Sequence, residues 1–153
     1  MIDFFGDFEV TLDSKGRFLL PASIKKMLPE GYSGGFIITR GQGDCLNLYP
    51  MENWNEIVSE LRKVNQFNRE AADYLRYALM GSTPVEPDTA GRLLVPPVLK
   101  DWAKLEKEVM LVCVLNKIEI WDKSKYTKFF ESFTDEKFNE LQLKVMGGPS
   151  NVK

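Results

Sequence analysis

The stretch DSKGRFLLP, residues 13–21, returns 75 positions later as DTAGRLLVP, residues 88–96. Asp13, Gly16, Arg17, Leu19 and Pro21 meet Asp88, Gly91, Arg92, Leu94 and Pro96. The match extends back to Val10 over Val85 and forward to Ile24 over Leu99 and Lys25 over Lys100. Further on, LNLYPMENW (46–54) resembles IEIWDKSKY (118–126) at an offset of 72. Three residues are therefore missing from the second copy, and GYSGG (31–35) is the expected place of the loss. Identities on glycine, proline, arginine and aspartate mark a duplicated structural unit, and duplication fixes the architecture.

Each copy reads as strand, tight turn, strand, short helix and two more strands. In the first copy the strands are expected over 9–12, 17–20, 35–40 and 45–50. Pro21 opens the helix, where its missing N–H costs nothing. Ile24, Met27 and Leu28 line one face, and Pro29 lies past the end. The second copy begins its helix at Pro96-Pro97 and is expected to bury Leu99, Trp102 and Ala103, before strands over 108–115 and 118–122. Trp54, Ile57, Val58 and Leu61 recur at helical spacing after the first copy, and Ala71, Leu75, Ala78 and Leu79 suggest another helix after a break near NQFN (65–68). Phe129, Phe130, Phe133, Phe138 and Leu141 mark shorter C-terminal helices, whose aromatics suit core packing. The parts are two repeat units over 7–53 and 82–125, a helical insert over 54–81, C-terminal helices over 126–146 and a flexible tail over 147–153.

The motif spacing has a local cause. A three-residue hairpin loop commonly closes with a residue in the left-handed region, which glycine enters freely. Gly16 and Gly91 hold that position, and Asp13 and Asp88 hold the first corner, where a carboxylate accepts loop N–H groups. Arginine then lies across from each aspartate, predicting Asp13–Arg17 and Asp88–Arg92 ion pairs. A hairpin pinned in this way serves a purely structural role equally well. A binding role draws on arginine's planar fork, which suits phosphates and guanine edges. It also draws on nearby cations: Lys15, Lys25 and Lys26 in the first copy, Lys100 and Lys104 in the second.

Composition removes competing chemistry. The chain has no histidine and two cysteines, Cys45 and Cys113, each in an apolar setting that suits a small core residue. Histidine-based triads, the usual zinc sets and histidine general bases are thus absent, so neither an enzyme nor a cofactor is expected. GQGD (41–44) lacks a following Gly-Lys-Ser/Thr and reads as a turn. The longest apolar run, VMLVCVL (109–115), is too short to cross a bilayer, and MIDFFGDFEV lacks a basic leader, so a cytoplasmic protein is expected. The net charge of −2 means that any nucleic-acid site must concentrate its cations locally or multiply them by assembly.

Two D-x-x-x-R motifs, each followed by a short strand, proline and a short helix, resemble the MraZ family of bacterial transcriptional regulators, built from tandem SpoVT-AbrB-type units. The resemblance covers residues 4–146 through LDSKGRFLLP, LNLYPMENW, AGRLLVPPVL and EVMLVCVLNKIEIWD. It implies an α+β fold in which two tandem swapped-hairpin βαβ units form an intramolecular pseudo-dimeric small β-barrel with flanking helices. It also implies a homo-oligomeric ring, commonly an octamer, in the cytoplasm and on the nucleoid. Its partner is double-stranded promoter DNA, bound at short direct repeats to repress the cell-division and cell-wall gene cluster, with no membrane and no small-molecule substrate. Carried onto this sequence, Arg17 is the foremost DNA contact with Lys15 beside it, then Arg92, Lys25 and Lys26. Asp13, Gly16, Asp88 and Gly91 orient the motif. Ala90 stands where Lys15 does in the first copy, leaving the second loop less basic, and the acidic 1–9 segment lies beside the expected DNA face. A non-DNA oligomeric scaffold and an antitoxin-like regulator are the alternatives.

Overall fold

Eight strands within the first 123 residues share one core; Phe4–Thr11, Glu108–Leu115 and Lys117–Asp122 alternate between faces, whereas Phe36–Arg40 and Cys45–Pro50 are largely apolar and buried almost throughout. The computed structural model describes residues 1–147; the expected tail lies outside them from residue 148 on. The fold is mixed α+β. The first repeat supplies β1 (Phe4–Thr11), β2 (Arg17–Leu19), α1 (Ala22–Lys25), β3 (Phe36–Arg40) and β4 (Cys45–Pro50). Helices α2 (Met51–Leu61) and α3 (Arg69–Leu79) follow. The second repeat supplies β5 (Thr83–Val85), β6 (Arg92–Leu94), α4 (Pro97–Trp102), β7 (Glu108–Leu115) and β8 (Lys117–Asp122). A separate compact unit, from Ser124 onward, contains nearly all of α5 (Lys123–Glu131) and all of α6 (Asp135–Met146).

The repeats exchange strands. The six-stranded sheet runs β1-β7-β8-β4-β3-β5, so β1 lies on β7 of the other repeat and β5 lies on β3. The pairing of β4 with β8 joins the halves at the centre, and β2 with β6 forms a second, two-stranded sheet. All these pairings are antiparallel. The expected hairpin ladder across each D-x-x-x-R turn does not form. Asp13 N–H bonds the Arg17 carbonyl and Gly16 N–H bonds the Asp13 carbonyl, closing the turn. Beyond it the strands part, because β1 finds an eight-residue partner in β7 while β2 turns to β6. The same partner explains why β1 starts at Phe4, five residues before the sequence suggests.

The loss of residues is also redistributed. Arg17 and Arg92 are 75 positions apart, Ile38 and its counterpart Leu111 are 73 apart, and Leu48 and Ile120 are 72 apart. Two residues are thus lost before the third strand and one in the following connection, where Val114, Leu115 and Asn116 stand in the place of the four-residue GQGD.

Matched residues fill the core from both sides: Phe18 and Leu93, Leu20 and Val95, Ile24 and Leu99, Leu46 and Ile118, Leu48 and Ile120 are all buried. Each such side chain contributes roughly 1.5–3 kcal/mol by leaving water. Pro21 and Pro96 cap α1 and α4. Helix α1 ends before Met27 and Leu28, which still pack, partly buried, against the core. The break near NQFN is present, with the Asn68 side chain accepting the Ala71 N–H to start α3.

Two expectations about side chains change, and one buried polar residue is new. Leu99 and Ala103 are buried as expected, but Trp102 is exposed. Its ring lies 5.5 Å from the Arg40 guanidinium, which also sits 4.2 Å over Tyr77 and donates to the carbonyls of Tyr77 and Met80 at the end of α3. Arginine there satisfies helix-end acceptors, so Trp102 acts as a platform rather than as core. In the C-terminal unit, the Phe129 and Phe133 rings meet tilted with centroids 5.1 Å apart, yet Phe130 and Phe138 are 68% and 59% exposed, so this aromatic set does not form a core within one chain. Finally, α2 keeps its apolar face half-buried and fully buries Asn53, which its sequence neighbourhood does not single out.

Cys45 is buried and Cys113 half-buried, as suits small core residues. Burial pushes their thiols up to about 12 and about 11, so both are inert near neutral pH. No helix among the described residues is long and apolar enough to cross a membrane.

Candidate nucleic-acid interface

The aspartates build both turns. Asp13 Oδ1 accepts the backbone N–H groups of Lys15 and Arg17, each at 2.9 Å, and Oδ2 accepts Arg17 Nε at 2.8 Å. Asp88 repeats the pattern with the N–H groups of Ala90 and Arg92 and with Arg92 Nε, each at 2.9 Å. Gly16 and Gly91 take φ of 82° and 83°, the left-handed value that their place in the turn requires. The backbone N–H of Arg17 is the main cause holding the Asp13 carboxyl below its ordinary value, and the N–H of Arg92 does the same for Asp88. Desolvation opposes both shifts.

The second sheet joins the turns. Phe18 lies opposite Leu93, so Arg17 faces Leu94 and Leu19 faces Arg92 around a local two-fold centre. Arg17 Nη1 lies 3.9 Å from Asp88 Oδ2, and Arg92 Nη1 lies 4.0 Å from Asp13 Oδ2. The expected ion pairs are therefore two edges of a four-membered group. Each guanidinium is fixed by its own aspartate and steered by the other repeat's, and each stays partly exposed. The group carries no net charge. It orients arginines without itself attracting a polyanion.

Lysines supply the attraction, and the structure regroups them. A β-carbon built on Gly91 would lie 3.5 Å from Lys25 Nζ, and one on Gly16 would lie 3.8 Å from Lys100 Cδ. Lys25 therefore sits at the second repeat's turn and Lys100 at the first's. Ala90 does not leave its turn without a cation, as the sequence suggests, because the other repeat provides one. Lys15 is exposed in its turn and Lys26 is exposed at the C-cap of α1. Lys104, also exposed, adopts φ of 54°. Of the acids near the N-terminus, Glu9 is paired with Lys123 at 2.8 Å.

Period-two alternation puts Arg17 and Leu19 on one face of β2 and Arg92 and Leu94 on the same face of β6, with Phe18 and Leu93 turned inward. Leu19 and Leu94 are 56% and 44% exposed. In the sequence they stand out only as matched positions; their apolar character between two arginines at a strand's outer face is the available signal. A shallow concavity beside Leu19 is lined by Thr11, Asp13, Arg17 and Arg92.

Two strand-exchanged copies of one unit, presenting one Asp–Arg ribbon between them, define a tandem-repeat α+β domain. The chain belongs to the MraZ family: a family model described as "MraZ protein, putative antitoxin-like" matches residues 4–77 and again 78–144. The chain is 40% identical over 148 residues to the "Transcriptional regulator MraZ" of Christiangramia forsetii, covering 96% of this chain and 95% of that one. It is 39% identical over 143 residues to the protein of that name from Cytophaga hutchinsonii, covering 94% of each. The Clostridium beijerinckii protein of the same name is 34% identical over 145 residues, covering 92% of this chain and 99% of its own. These relatives are named as regulators, not as enzymes.

Proposed function

We propose that this chain is a cytoplasmic, nucleoid-associated transcriptional regulator that binds double-stranded promoter DNA at short direct repeats and represses the cell-division and cell-wall gene cluster. The observation that carries the reading is the Asp13–Arg17–Asp88–Arg92 group. It holds two guanidiniums in fixed positions on one ribbon and leaves each of them partly exposed. Such a fork matches phosphate or guanine acceptors. Arg17, Arg92, Lys15, Lys25, Lys26 and Lys100 then contact DNA, while Asp13, Asp88, Gly16 and Gly91 hold the geometry. The names of the relatives support the regulatory role.

The architecture is a swapped-hairpin pseudo-dimer folded as a small barrel, with units over 7–53 and 82–125, a helical insert over 54–81 and C-terminal helices over 126–146. The exchange of β1 and β5 between repeats supports it. One protomer offers few cations, and affinity grows with the number of phosphates neutralised. A ring of protomers, an octamer in this reading, places copies of the ribbon on successive repeats as linked events. Exposed Phe130, Phe138 and Val145 on the C-terminal helices suit contacts between copies.

An electrophoretic shift assay with the promoter of that gene cluster tests the reading. The native fragment is expected to shift in the presence of excess unrelated DNA, and a fragment with its direct repeats scrambled is not. Equal binding of both would refute sequence-specific regulation.

A further inference from the structure

Leu19 and Leu94 are apolar side chains held out in water at the centre of a polar ribbon. They are 56% and 44% exposed, while Phe18 and Leu93, their neighbours on the other face, are at 2% and 1%. Each faces an arginine across the β2–β6 pair: Leu19 faces Arg92, and Leu94 faces Arg17. The diagonal arrangement gives the surface a two-fold pattern of fork, methyl, methyl, fork.

What covers these leucines must also satisfy the guanidiniums beside them. A second protein copy laid over the ribbon would bury guanidiniums whose N–H donors the aspartates satisfy only in part, and a buried unpaired donor costs free energy. The DNA major groove offers both surfaces at once. It is about 12 Å wide and admits a two-stranded ribbon, with guanine O6 and N7 as acceptors and the thymine C5-methyl as an apolar contact. The ribbon's net-neutral Asp–Arg group fits a base-reading role, with phosphate attraction left to the flanking lysines.

We propose that Leu19 and Leu94 are specificity residues that read thymine methyl groups in the major groove, next to the bases contacted by Arg17 and Arg92. This rests on the DNA-binding reading above. It assigns the two leucines to base discrimination, so their loss changes which sequences bind more than how tightly DNA in general binds.

The test replaces thymines in the promoter repeats one at a time by uracil, which lacks only the C5-methyl. Binding is measured by fluorescence anisotropy for the unaltered chain, Leu19→Ser and Leu94→Ser. At one or more positions uracil is expected to weaken binding by the unaltered chain about fourfold, the value of one buried methyl-sized group. That penalty should vanish in one of the leucine variants. Thermal unfolding and native mass spectra of the variants should match those of the unaltered chain. If no uracil position matters, or the penalty persists in both variants, the assignment is overturned. It is equally overturned if the variants change the oligomeric state but leave promoter selectivity intact, because the leucines then join copies. Absence of specific binding by the unaltered chain overturns the DNA-binding reading itself, and is thereby distinguishable from the other outcomes.

Discussion

Replacing Asn53 by leucine should destabilise the fold more than any change on the ribbon's surface. Asn53 is fully buried in α2. Its Nδ2 donates to the carbonyls of Ile2 at 2.7 Å and Asn116 at 2.8 Å, and its Oδ1 accepts the Ile2 N–H at 2.8 Å. One side chain thus ties the N-terminal segment, the first turn of α2 and the β7–β8 connection. Leucine keeps most of the volume but leaves one donor and two acceptors without partners. A buried group orphaned in this way costs about 1–3 kcal/mol. The segment around Ile2 can recover part of this by moving toward water, so a total of about 3 kcal/mol is expected. With a urea slope near 2 kcal/mol per molar, the unfolding midpoint should fall by about 1.5 M. Aspartate at the same place is a second probe. It keeps the acceptor for Ile2 N–H but turns a carboxylate toward two carbonyls, so it should be at least as damaging as leucine. A midpoint shift below about 0.5 M for leucine, or a milder effect for aspartate, would refute the reasoning that these three bonds, two of them buried and one part-buried, go unreplaced.

Three further outcomes follow from the site. Lys25→Ala and Lys100→Ala should each reduce the slope of log K against log salt by about 0.9 for every phosphate the lysine neutralises; an unchanged slope in salt-titrated promoter binding would remove these lysines from the interface. Gly91→Ala forces a side chain into φ of 83° with Lys25 Nζ at 3.5 Å. It should cost about 1–2 kcal/mol, seen as a fall of several degrees in Tm on thermal unfolding. Asp13 and Asp88 titrate below their ordinary value of 3.8. Their contribution to stability is full above that ordinary value and is lost as pH falls through the lower folded one. Acid unfolding of Asp13→Asn should therefore converge with that of the unaltered chain only at the acid end, and convergence at neutral pH would contradict the pairing.

What is legible in the sequence is local. Gly16 and Gly91 need a left-handed backbone because of their place in a three-residue turn, and a chain neighbourhood of five residues suffices to say so. Asp13 and Arg17 pair for the same reason, and Pro21 and Asn68 start helices by chemistry confined to one turn. The remainder depends on partners far along the chain. No feature of DSKGR reveals that β2 will pair with β6, so the step from two ion pairs to a four-membered group lies out of its reach. Closeness in sequence groups Lys25 with the first turn, whereas the strand exchange carries it to Gly91. Asn53 reads as one more polar position on an amphipathic helix, since its partners are the backbone of Ile2 and Asn116. Trp102 falls at an apolar position of α4, and only the arrival of Arg40 from β3 gives it a different use.

The central claim is that the Asp–Arg ribbon is the DNA-reading surface. Its most direct test is the affinity of Arg17→Ala for the promoter, set against its affinity for unrelated DNA, at matched salt. The account predicts that Arg17→Ala binds both alike, with Tm and oligomeric state close to those of the unaltered chain. A variant that is folded and assembled, and still prefers the promoter as strongly as the unaltered chain does, would contradict it.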